Sequence, residues 1–402
     1  MTTKARRLSL AVLVGAALTS TTPFRAHEHN ACVEVNNSSN NRLGVFELLG
    51  ATGRLKRVEE VATGGTGVNG GYISIPQIAS TSAVAGRACV FAVNAATHDV
   101  SAFQVTMEQE PGTPCPCHTR PAGGPVSIGG GASFGPLGGG VAVTPDGRAV
   151  YTANPGSSDI SSFAVRPGCG IQRVGPRLPA PPEPADIQVK PDGRCLAVSS
   201  PVTDRIAMYR IGSNRQLVPA AQFAVPGPGR ASGIEFSSRL ERDVLYVSKA
   251  AAGRTVIVRF DVEASSCRLQ TPSVTELRRG RTSSVARLDP DNRCLFTADH
   301  PSSLLAVNHP PSTISAFAVD SATGDLTHVT TVDDVAFYPA GMVFGRTFDG
   351  ARFLYYTSFT REILRRPLVG CVPGPVVAPN ERASLEPSLP STGPLRTLAL
   401  IE

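Results

Sequence analysis

The chain has 402 residues and a formal charge of +6, with 41% apolar and 17% charged residues. That balance excludes a disordered, highly charged chain and supports a sizeable core. Its 39 glycines and 34 prolines predict many short strands rather than long helices, and the absence of Trp excludes repeat families whose signature needs it.

In chain order, the first 26 residues hold Lys4, Arg6, Arg7 and Arg25 and no acid, which leaves +2 for everything after them. The basic start, the apolar run at 8–18 and the small polar residues behind it have the form of a secretory signal peptide cleaved between Ser20 and Ala26. The run is too short to anchor in a bilayer. Residues 27–402 are therefore expected to form one exported domain, secreted or periplasmic and monomeric. Nucleic-acid and membrane partners are not expected.

A repeating unit then begins. CVEVNNSSNNRLGVFEL (32–48) and CVFAVNAATHDVSAFQV (89–105) each read as two alternating strands around a polar loop. VAVTPDGRAVYTANPGSSDISSFAV (141–165) shows the fuller frame: a strand, a Pro-Asp-Gly turn, a second strand ending at Asn154, a polar loop and a third strand. IQVKPDGRCLAVSSPVTDRIAMYRI (187–211) repeats that frame 46 residues later. IEFSSRLERDVLYVSK (234–249), ARLDPDNRCLFTAD (286–299) and FDGARFLYYTS (348–358) bring the count to seven. Four-stranded units with this period cannot bury both sheet faces alone, so the expected fold is an all-β, seven-bladed propeller of four antiparallel strands per blade. The first unit lacks an inner strand. RTLALIE (396–402), after the Pro-rich connector 379–395, is expected to supply it and close the ring.

Nine cysteines in an exported chain suggest a disulfide framework with one thiol left over. Cys32, Cys89, Cys195 and Cys294 align at the start of the second strand, and Cys169, Cys267 and Cys371 align at the turn between the third and fourth strands. If the outer turn of one blade meets the inner turn of the next, the pairs are Cys169–Cys195, Cys267–Cys294 and Cys32–Cys371, the last locking the ring. Cys89 then pairs with Cys115 or Cys117. The Cys-Pro-Cys spacing lacks the pattern of a zinc site, so no metal and no cofactor are expected.

The segments PDGR, VYTAN and DISSFAV resemble the YVTN-type, seven-bladed propellers of the lactonase-like family, which includes 6-phosphogluconolactonase-type enzymes and carboxymuconate cyclases. The resemblance spans roughly residues 31–402. It implies a His with charged partners where the inner strands open onto one mouth of the channel. Catalytic relatives often carry that His six positions before the turn Pro, where this chain has Gly139, Ala185 and Ser284. Lactone hydrolysis by the usual residues is thereby put in question.

Asp186, Glu235 and Arg287 are the ionisable residues that remain on inner strands. With His300 they are the candidate catalytic set. The ends of the second strands form a collar of Asn37, Asn94, Asn154, Ser200, Lys249, Asp299 and Ser358. The Asn and Ser members read as bend residues that bond the backbone. Lys249 and Asp299 break that pattern and, with His309 from the long sixth-blade loop, are the candidate ligand-binding residues. Gly131–Gly135 satisfies GxSxG but sits in a Gly-rich connector without the strand and helix of a nucleophile elbow. The leading expectation is a scaffold that binds a small molecule or a protein at the loop-rich channel mouth. The alternative is a lactone hydrolase or cyclase, and convergence of the ionisable groups at one mouth is the feature that favours it.

Overall fold

The Pro-Asp-Gly turns close as their composition predicts. In the third unit Asp146 Oδ1 accepts the Arg148 N–H at 3.0 Å, and in the fourth Asp192 Oδ1 accepts that of Arg194 at 2.9 Å. The residue after each Asp, Gly147 or Gly193, is left-handed with φ of 66° or 73°, which glycine adopts without steric cost. Each turn joins the inner strand of a blade to its second strand.

The computed structural model describes residues 31–37, 41–50, 52–67, 77–84, 86–107, 117–131, 133–134, 137–237, 240–278, 281–301, 312–333, 341–357, 362–377, 383–384 and 397–401. The signal-peptide reading, Cys115, His309, Ser358 and most of the Pro-rich connector lie outside them. The described strands form seven antiparallel blades and one small hairpin. Blade 4 is typical, with strands Ile187–Val189, Cys195–Ser200, Arg205–Ile211 and Leu217–Ala224 from the axis outwards. Each inner strand touches the inner strand of the next blade all the way round. Blade 1 takes its inner strand, Thr397–Ile401, from the C-terminal end; it pairs with Ala31–Asn37 in a register that sets Cys32 opposite Ile401 and Asn36 opposite Thr397. The closing strand is where the repeat pattern placed it.

Apolar alternation on both faces of each sheet produces seven clusters of buried side chains, one at each interface between neighbouring blades.

The disulfides correct the expected pairings. They are Cys32–Cys117, Cys89–Cys169, Cys195–Cys267 and Cys294–Cys371, with Cα separations of 5.3–5.9 Å. The aligned positions do meet, but in the opposite direction: the second-strand cysteine of one blade reaches the outer turn or outer strand of the following blade. Blade twist is the cause, because it swings each outer strand back over the preceding blade. Cys117–Pro121 of blade 2 accordingly packs on Arg42–Leu49 and Arg54–Ala62 of blade 1. Cys169–Cys195, Cys267–Cys294 and Cys32–Cys371 are thus not formed, nor is a bond from Cys89 to Cys117. Among the described residues no disulfide closes the ring.

The bonds staple blades 1 to 2, 2 to 3, 4 to 5 and 6 to 7. At the other three interfaces a fully buried tyrosine takes over. Tyr151 of blade 3 donates to the Arg215 carbonyl of blade 4 at 2.8 Å, Tyr246 of blade 5 to Gly324 of blade 6 at 2.7 Å, and Tyr355 of blade 7 to Gly53 of blade 1 at 2.5 Å. Burial raises the phenol pKa of Tyr151 and Tyr246, so each stays a donor at any ordinary pH. Tyr246→Phe leaves the Gly324 carbonyl without that donor and is expected to cost about 1–2 kcal/mol. Urea unfolding with an unchanged slope is the check.

Candidate functional site

The innermost strand of a blade is a sheet edge, so alternate backbone N–H groups have no ladder partner. Across blades 4 to 6 side chains of one inner strand fill that need on the next. Asp186 Oδ2 accepts the Ile234 N–H at 2.8 Å, Gln188 Oε1 that of Phe236 at 3.4 Å, and Glu235 Oε1 that of Leu288 at 3.5 Å. The same side chains meet one another. Gln188 Nε2 donates to Glu235 Oε2 at 2.9 Å, and Arg287 Nη1 lies 3.4 Å from Glu235 Oε2 and 3.9 Å from Asp186 Oδ2. Arg287 Nη1 also reaches the carbonyls of Ala286 at 2.8 Å and Ile234 at 3.3 Å.

Gln188, Glu235 and Arg287 stand at one level of three consecutive inner strands, opposite Ala197, Tyr246 and Phe296. The other four blades carry Ala79, Ala142, Gly345 and Ala399 at that level. At Gly345 a Cβ would stand 2.9 Å from Leu48 and 3.0 Å from Tyr355, so that interface closes too tightly for a side chain. Between blades 4 and 6 the equivalent space holds a polar ladder instead.

Exposure and charge differ along the ladder. The Arg287 and Glu235 side chains keep 18% and 17% of their surface, whereas Asp186 keeps 2%. Burial lifts the Asp186 carboxyl to about 7 despite the opposing pull of Arg287 and the Ile234 N–H. Glu235 is raised by the same cause, and again Arg287 opposes it. Among the described residues, Asp186 Oδ1 is buried without a hydrogen-bond partner.

The remaining candidates sit elsewhere. Lys249 is fully buried and its Nζ is held by Asp204 at 2.8 Å and the carbonyls of Val225, Pro226 and Gly227 at 2.7–3.1 Å. An ammonium has three protons to donate, and its own chain takes them all. Asp299 is also buried; it accepts from Ser315 at 2.6 Å, and burial raises its pKa. His300 is buried opposite Thr282, and His309 lies outside the described residues. The structure therefore joins Asp186, Glu235 and Arg287 and leaves Lys249, Asp299 and His300 out of that cluster. Asn94 and Asn154 bond side chains rather than the expected backbone of the bend, each donating to an Asp five residues on at 2.6 Å and to a Ser seven residues on. Gln188 went unnoticed in the sequence because it does not ionise, although like Arg287 it precedes its turn Pro by three positions. No cluster of three metal-ligating side chains occurs among the described residues.

A closed ring of seven four-stranded antiparallel blades is a seven-bladed β-propeller. The family described as "Lactonase, 7-bladed beta-propeller" matches residues 91–232. Similar solved structures include a candidate 6-phosphogluconolactonase of Bacteroides fragilis, with 16% identity and a TM-score of 0.65, covering 93% of this chain and 98% of the other. The periplasmic gluconolactonase of Pseudomonas aeruginosa gives 17% identity and a TM-score of 0.64, covering 93% and 99%. Hydrazine synthase of Kuenenia stuttgartiensis gives 17% and 0.51, covering 75% and 79%. At these identities the likeness is one of fold. No curated protein sequence matches the chain.

Proposed function

We propose that the protein is an exported hydrolase of small uncharged lactones, acting where Glu235 and Arg287 reach the channel. The observation that carries this reading is the arginine set against two carboxylates in unlike environments, 3.4 and 3.9 Å away. Glu235, the more exposed carboxylate, takes the proton of an attacking water, and Arg287 holds the carbonyl oxygen as it gains charge. Gln188 fixes Glu235 from the other side. Asp186 is a positioning residue: neutral below about pH 7, it leaves the Arg287 charge to Glu235 and the substrate. The pair Arg287 and Glu235 then sums to zero and Asp186 ionisation makes it negative, which disfavours a phosphorylated lactone. Four disulfides and the periplasmic gluconolactonase neighbour support export.

A panel of neutral and phosphorylated lactones, with and without divalent metal, tests the reading. Turnover of neutral substrates is expected, falling about 100-fold or more in Glu235→Gln. In Asp186→Asn the loss of activity above about pH 7 is expected to disappear. No turnover by the intact protein, or a fully active Glu235→Gln, overturns it. The binding-scaffold reading then gains, supported by the use of each carboxylate in bracing the next inner strand.

A further inference from the structure

The glycines of the connector ahead of blade 3 lie beneath two arginines. A Cβ at Gly129 would collide with Arg173 Nη1, and one at Gly130 with Ser157 Oγ and Arg177 Nη1. These side chains border a cavity of about 490 Å³ at the bend between the second and third strands of blade 3, together with Ser158 and Asp159. The Gly156 N–H donates to the Gly131 carbonyl at 2.9 Å, which ties the connector to that bend.

The charges do not cancel. Arg177 Nη1 pairs with Asp159 Oδ2 at 2.7 Å, and Asp159 Oδ1 already accepts a hydrogen bond from Asn154 Nδ2 at 2.6 Å. Among the described residues, the Arg173 guanidinium has neither an ion pair nor a hydrogen bond, although the residue is half-buried. Ser157 Oγ is buried and likewise without a partner. One positive charge and one unused hydroxyl donor therefore border the same cavity.

We infer that this cavity is a binding site for a singly charged oxyanion group, a carboxylate or a phosphate monoanion, held by Arg173 and Ser157 with Arg177 alongside. A guanidinium fork matches two oxygens of either group at once. Asp159 repels a second negative charge and keeps the site selective for single charge. A side chain at Gly129 or Gly130 would have to push these groups aside, and Gly129 also has a left-handed φ of 73° that favours glycine. This site is independent of the lactone chemistry, since none of its residues belongs to the Asp186–Glu235–Arg287 ladder.

Titration calorimetry of the full chain at about pH 6 with butyrate and with inorganic phosphate, which is mainly the monoanion there, against chloride at equal ionic strength, tests it. Saturable binding of either probe is expected, weakened about tenfold or more in Arg173→Met and less in Ser157→Ala. Which probe binds tells the source of the oxyanion. Arg166→Met, which removes an exposed guanidinium that serves Gln172 at the other end of the blade, is expected to bind as the parent does. Thermal melting checks that Arg173→Met is folded. Absence of saturation beyond the chloride control, or equal weakening by the Arg173 and Arg166 substitutions, overturns the site.

Discussion

Arg287→Met is expected to lower lactone turnover by about 100- to 1000-fold and to destabilise the protein by about 2–4 kcal/mol near pH 8, with little loss near pH 4. The pH dependence follows from the Asp186 carboxyl, lifted from its ordinary value to about 7 by burial. Below the ordinary carboxylate range it is neutral in both folded and unfolded chains. Between that range and about 7 only the unfolded chain ionises, so stability falls as pH rises; above about 7 the fall is complete. Arg287 opposes the rise at both Asp186 and Glu235, and its removal pushes both carboxyls further up and extends the fall to higher pH. Denaturation at pH 4 and pH 8, set beside steady-state kinetics, separates the two effects. Equal destabilisation at both pH values contradicts the electrostatic account.

Deleting residues 396–402 is expected to cost more. Five paired residues tie the closing strand to Ala31–Asn37, worth about 5 kcal/mol if each contributes near 1. The deletion also bares the inner edge of blade 1 and leaves blades 2 and 7 without the strand both of them touch. We expect aggregation or loss of cooperative unfolding. Leu400→Pro, which removes one ladder donor but keeps the chain, is expected to lie between parent and deletion. A deletion that melts like the parent shows that closure contributes little.

The architecture was legible because the spacing of Pro-Asp-Gly turns is a local signal repeated often enough to count. Closure was legible for the same reason, through one strand too few at the start and one too many at the end. The direction of the disulfides was not. Aligned cysteines share a rim, and only the blade twist decides whether Cys195 meets Cys169 behind it or Cys267 ahead of it. Asp186, Glu235 and Arg287 stood out as charges on strands that face the axis. Lys249 misled because Asp204 and the carbonyls that enclose it come from other turns of the chain, and a lone charge in sequence looks the same whether solvent or backbone receives it. Gln188 carried no charge to draw attention, although its place three residues before Pro191 matches that of Arg287 before Pro290.

The antiparallel register of the closing strand, with Cys32 opposite Ile401, brings both ends of the folded chain to one end of the same strand pair. A force that pulls the termini apart therefore opens the hydrogen bonds one after another, like a zipper, instead of loading them all in shear. Extension from the N-terminal side stops at the covalent link from Cys32 to Cys117, and from the C-terminal side at the link from Cys371 to Cys294. The ring is mechanically weak at its seam and strong just behind it, so a tug at either end lengthens the molecule by an amount that the two disulfides fix before the blades begin to yield.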